Sequence, residues 1–232
     1  MDKTPSRKVS RYSEELIQDC LLIMESGDIE DLFEIIPRIG VLRDLRFHQP
    51  LIRMLCHKDT KRCEFAAYAM GAMGNHEFVG PLKKAFLEAQ KMKGFGAQDF
   101  LIAVIEAIGA IGDDAAVDFF LPILKNSDAS SPSRMLKWIV ESLGAIAQQG
   151  GVRSIAALLE LTEHLNPELR AQALLELSVA YWHRPNEISE AALHRMHELT
   201  RDKNRIVAES ALSALQSLAD VGCRRAEKLF TR

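Results

Sequence analysis

The chain has little of several things, and each shortage narrows the reading. Aromatic residues make up 6% of the 232 residues, with two tryptophans, Trp138 and Trp182. Large flat side chains are scarce, and the abundance of Ala, Leu and Ile favours helices that pack closely. Charge of either sign is hardly in excess: 29 Lys and Arg against 32 Asp and Glu leave a net charge of −3. A chain-wide electrostatic attraction to nucleic acid or to an anionic membrane is therefore not indicated. No apolar run reaches transmembrane length, and the start of the chain has no secretory h-region. The four cysteines, Cys20, Cys56, Cys63 and Cys223, are scattered. They lack the close paired spacing of a zinc site, and reduced thiols in the cytoplasm are expected. Strand signals are missing too, because the apolar runs keep a period near 3.6 and hairpin turns are not found.

What is there is repetition. A small or polar residue recurs in a similar context at Gly40, Gly71, Gly109, Gly144, Ser178 and Gln216, at intervals of 31 to 38 residues. One residue earlier stand Ile39, Met70, Ile108, Leu143, Leu177 and Leu215. Two residues later stand Leu42, Met73, Ile111, Ile146, Ala180 and Leu218. These two columns lie three apart, so they share one helix face. Further columns, Val79, Val117 and Val152, then Leu51, Leu82, Phe120 and Ile155, start a second helix in each repeat. Asn166 followed by Pro167, Asp28 after Gly27, and Asp202 or Asn204 fit helix starts. Such hairpins close no core alone, and stacking them predicts an all-α chain, an α-solenoid of about five to six helical hairpins. Residues 1–11 read as a flexible N-terminal arm and 12–232 as a single domain, with Lys91–Asp99 and Asn126–Arg134 as loops between repeats.

The stretch "EAIGAIGDDAAVDFF" from Glu106 and the stretch "NPELRAQALLEL" from Asn166 resemble the two halves of the short bacterial HEAT-like repeats, of the kind also found in phycobilisome lyases. Looser copies are "AYAMGAMGNHEFVGPL" and "ESLGAIAQQGGVRSIAALL", and the resemblance spans roughly Ile29 to Phe230. It implies stacked HEAT-like hairpins whose second helices line a concave surface, and it says little about activity. A non-enzymatic scaffold or adaptor that binds a protein partner through that surface and its loops is the leading expectation. The resemblance also implies an alternative, a bilin lyase or chaperone-like subunit. A HEAT-like DNA-binding or DNA-repair protein is a further one.

Gly109, Gly112, Asp113 and Asp114 lack the preceding strand of a phosphate loop, so they are read as a tight helix corner with Asp capping the next helix. His76–Glu77 and His197–Glu198 do not occupy equivalent repeat positions, which argues against the di-iron site of HEAT-like hydroxylases. His194 with His197, and Cys56, His57, Cys63 and His76, have no completing ligand at a predictable spacing. No catalytic residue, metal ligand or cofactor is expected. The candidates are partner-binding residues. Tyr181, Trp182, His183 and Arg184 place aromatic and arginine side chains where other repeats are small or polar, as interface anchors or as a plug beside a shortened hairpin. A basic set follows: Arg53, Lys58, Lys61 and Arg62, then Lys83, Lys84, Lys91 and Lys93. Lys83 and Lys84 lie in a second helix and are the members placed to meet a partner, although solvated lysines are the ordinary reading.

Overall fold

The computed structural model describes residues 11–94, 96–127 and 133–230. The arm expected at 1–11 lies outside them except for Arg11, the first residue of α1. Most of the loop expected at 126–134 also lies outside them. The described residues fold into helices joined by turns, with no strand among them. None of these helices is long and apolar enough to cross a membrane. Packing divides the chain into two compact units, Met1–Ala107 and Ile108–Arg232.

The first unit holds α1 (Arg11–Ser26), α2 (Ile29–Glu34), α3 (Ile36–Leu42), α4 (His48–Leu55), α5 (Thr60–Met73), α6 (Val79–Ala89) and α7 (Ala97–Ile111), whose last turn belongs to the second unit. The second holds α8 (Val117–Lys125), α9 (Ser133–Gln148), α10 (Val152–Leu161), α11 (Pro167–Ala180), α12 (Glu190–Leu199), α13 (Arg205–Asp220) and α14 (Arg224–Phe230). Local chemistry sets the ends. Asp28 closes a capping box on α2, and Asn166 and Asn204 accept the N–H groups of Glu168 and Ile206. The helical stretch that starts after Asp28 divides at Ile35 into α2 and α3. Pro37 has no N–H for the Phe33 carbonyl, and its ring crowds that carbonyl.

The repeat columns are the core. Ile39, Met70, Ile108, Leu143, Leu177 and Leu215 are all buried, as are Leu51, Leu82 and Phe120. One position fails: Val79 and Val117 are buried, but Val152 in the same column is 75% exposed. In that hairpin Ser154, Ala157, Leu158 and Leu161 face inward instead. The single 3-10 turn that precedes α6 and α8 is replaced there by Gly150 and Gly151, which shifts the buried register.

In the second unit α9, α11 and α13 pack flank to flank, and in the first α3 packs on α5. The small-residue column makes this approach fit. A Cβ on Gly109 would come within 3.0 Å of the Cα and Cβ of Ser142. Polar ties recur at one repeat's separation. Arg195 donates to the Thr162 carbonyl, Arg225 to the Ile188 carbonyl, and Lys125 pairs with Glu160.

Candidate functional site

The corner Gly109–Asp114 is structural. Gly112 takes a left-handed backbone, φ 76°, that an L side chain rarely adopts. Asp113 caps the turn that follows by accepting the Ala115 N–H at 2.9 Å. Asp114 departs from the expectation that it caps the next helix in sequence. Its carboxylate accepts the N–H groups of Arg153 (2.8 Å) and Ser154 (2.9 Å), so it caps α10, one repeat further on. Gly151, at the N-cap of α10, has no side chain to do this. Asp114→Ala should therefore cost about 1–2 kcal/mol, the value of a lost N-cap, read as a fall of several degrees in thermal denaturation.

Of the four residues at 181–184, two turn inward. Tyr181 is 6% exposed and ends α11. Burial raises its pKa. Arg184 lies 5.7 Å from the Tyr181 ring centroid and donates to the Ala147 carbonyl at 2.7 Å, fastening α11 to α9. Tyr181 is therefore engaged inside the fold, while half-buried Arg184 both fastens the helices and lines a small surface pocket with His183. Trp182 and His183 present the surface here. Trp182 is 48% exposed, and its Nε1 donates to Ser217 Oγ on α13 at 2.8 Å.

Trp182 stands at one end of the valley between α11 and α13. On α13, Ile206, Ser210, Ser213 and Ser217 share a face by their helical spacing. Toward Ile206, the layer of long helices opens into a groove of about 410 Å³ lined by Lys137, Glu168, Gln172, Leu175, Ile206 and Ser210, among others. Ile206 is 56% exposed there. Sequence reasoning missed this groove, because its walls come from three helices in three repeats. Beside it lies Glu176, packed toward Gly144. Burial pushes the Glu176 carboxyl up to about 7, and the Glu141 charge adds to the rise. The Gln172 hydrogen bond (2.8 Å) and the Lys137 charge oppose it.

Lys83 and Lys84 belong to the first unit, on α6. Lys83 is half-buried, and Lys84 is exposed on the rim of an apolar cavity of about 430 Å³. Much of the remaining basic set is occupied. Lys61 pairs with Glu64 at 2.8 Å, Lys91 with Glu88 at 2.8 Å, and Arg62 donates to the Gly27 carbonyl at 2.9 Å. Among the described residues, no group of three or more His, Cys, Asp or Glu side chains is placed to hold a metal ion.

Residues 97–178 match the family described as HEAT repeats. This segment is built of HEAT repeats. No curated protein matches the chain. Among solved structures, an engineered protein of the Northeast Structural Genomics Consortium is 19% identical with a TM-score of 0.45, covering 92% of this chain and 98% of its own. A second engineered protein is 15% identical with a TM-score of 0.41, covering 91% of this chain and 62% of its own. The HEAT segment contains α7 through most of α11, and so includes the Gly109 corner, Asp114 and Glu176.

Proposed function

We propose that this HEAT-repeat chain is a non-enzymatic, cytoplasmic scaffold. It binds an extended segment of a protein partner along the valley between α11 and α13. The observation that carries the reading is the groove across α9, α11 and α13, where exposed Ile206 stands beside Leu175 and the charged Lys137 and Glu168. An apolar centre with a polar rim is the anatomy of a protein interface, and a few apolar anchors supply most of its affinity. Trp182 at the far end of the valley is the second anchor, with its indole N–H already satisfied by Ser217. Helices that sit closer together form the inner side of a bent stack. In the second unit the long helices abut more fully than the short ones do. This favours the long-helix layer as the binding side, rather than the second helices implied by the repeat resemblance. Lys83 and Lys84 belong to α6 in the first unit and are not among the residues that line this groove. The reading of 12–232 as one domain belongs to this proposal, and a single cooperative unfolding transition is its expected signature.

Affinity capture from an extract of the native host provides the test. The chain should retain a discrete partner, and Ile206→Asp should weaken that retention by about tenfold or more, the effect of removing a hot spot. The helical signal in circular dichroism should stay unchanged, because Ile206 packs into no core. Equal retention by the wild type and the variant would refute the groove as the docking surface.

A further inference from the structure

Two cavities of the first unit share one wall residue, His57. The larger, about 670 Å³, is lined by the basic Arg53 and Arg62, by His57 and, as its one acid among the described residues, by Glu25. The smaller is mainly apolar, with Ile52, Leu55, Pro81 and Phe100 in its walls, and Cys56, Lys84 and Glu88, the last paired with Lys91, beside them. Its volume of about 430 Å³ is that of a small-molecule site.

His57 is fixed from two directions. The Asp59 N–H donates to its Nδ1 at 3.0 Å, which leaves the ring proton on Nε2 as an outward donor. Its carbonyl accepts the buried Cys63 thiol at 3.1 Å. Burial pushes that thiol up to about 11, so it stays protonated and keeps donating. Around this fixed ring the cations are unevenly used. Lys61 and Lys91 have carboxylate partners, and Arg62 spends one nitrogen on Gly27. Arg53 and Lys84 have no ion-pair partner among the described residues. The chain's own first ten residues carry Lys3, Arg7 and Lys8 against Asp2, the wrong sign to neutralise them. Uncompensated guanidinium groups attract a carboxylate or phosphate in fork geometry, and the neighbouring apolar walls attract hydrocarbon.

We propose that the paired cavities bind an anionic amphiphile. Its carboxylate or phosphate head lies against Arg53, Arg62 and the Nε2–H of His57, and its alkyl tail lies between Ile52, Leu55 and Phe100. This site is in the first unit and is independent of the partner valley in the second.

Cys56 makes the site directly readable. It is exposed and lines the apolar cavity, whereas Cys20, Cys63 and Cys223 are buried. The rate of Cys56 alkylation by N-ethylmaleimide then reports occupancy in the native chain. The probes are dodecanoate, dodecyl phosphate, dodecyl maltoside and dodecyltrimethylammonium, all below their micellar concentrations, and inorganic phosphate. The two anionic amphiphiles should protect Cys56 at concentrations at least about tenfold lower than the neutral or cationic ones, the size of one charge-assisted hydrogen bond. Arg53→Gln should weaken the anionic probes by about tenfold and leave the melting temperature unchanged, because Arg53 is exposed. Ala85→Phe, which fills the apolar cavity, should weaken all the dodecyl probes. Equal protection by all head groups, no protection by the anions, or an Arg53→Gln variant with unaltered affinity would each overturn the proposal. Inorganic phosphate binding as tightly as dodecyl phosphate would also overturn it, leaving free phosphate as the ligand.

Discussion

Gly109→Val is expected to lower the melting temperature by roughly 5–10 °C, the equivalent of about 2–3 kcal/mol in a domain of this size. On helix propensity alone the change should help, since glycine is about 1 kcal/mol worse than alanine inside a helix. Packing reverses the sign. The first side-chain atom alone would stand 2.9–3.0 Å from Ser142 Oγ, Cα and Cβ, and valine adds two methyl groups beyond it. A Cα cannot swing aside as the end of a long side chain can, so α7 and α9 would have to separate. Gly80 in α6 is the control, because a Cβ there meets nothing within 4 Å. Gly80→Ala should be neutral or slightly stabilising. Equal effects at both positions would mean that the small-residue column is not there to let helices approach.

Glu176→Gln is expected to raise stability relative to the wild type progressively above about pH 5. In the folded chain the carboxyl titrates near 7, against an ordinary value of 4.5. The folded state therefore holds a proton that the unfolded state releases first. Stability from this group is fully present below about pH 4.5, declines as the pH rises and is lost above about pH 7. A rise from 4.5 to about 7 corresponds to a loss of up to about 3 kcal/mol. Glutamine has no such titration. The difference in melting temperature between variant and wild type should then widen by up to about 10 °C between pH 5 and pH 8. Taking the difference also removes the acid-side contribution of Glu14 and Asp44, whose carboxyls are held down by hydrogen bonds to Arg46. A constant difference across this range would place Glu176 in a more solvated setting than the α9–α11 contact provides.

The sequence carried the fold well because a repeat writes the same physical constraint several times. Each copy needs a buried apolar residue beside a small one, and Ile108 with Gly109 or Leu143 with Gly144 can be aligned without seeing a contact. Caps were legible for the same reason where they act locally, as Asn166 and Asn204 do. Bonds that span one repeat were not legible. Asp114 sits in the place of a local cap, yet its partners are forty residues away in α10. Nothing in the spacing of Val152 from Gly144 shows that a glycine pair has shifted the register and left that valine outside. The corner at 181–184 was visible as an odd patch of side chains. Which of them turn inward depended on whether Arg184 could reach the Ala147 carbonyl, and that is a three-dimensional fact. The groove at Ile206 and the cavity pair at His57 are assembled from separate repeats and have no sequence signature.

The scaffold reading is tested most directly by photocrosslinking in the native host, with a benzophenone amino acid placed at Ile206 or at Leu165. Leu165 is the control because it is 95% exposed in the turn before α11 and lies outside the groove. The account predicts a discrete crosslinked protein from position 206 and none from position 165. No adduct at 206, or the same adduct from both positions, would contradict it.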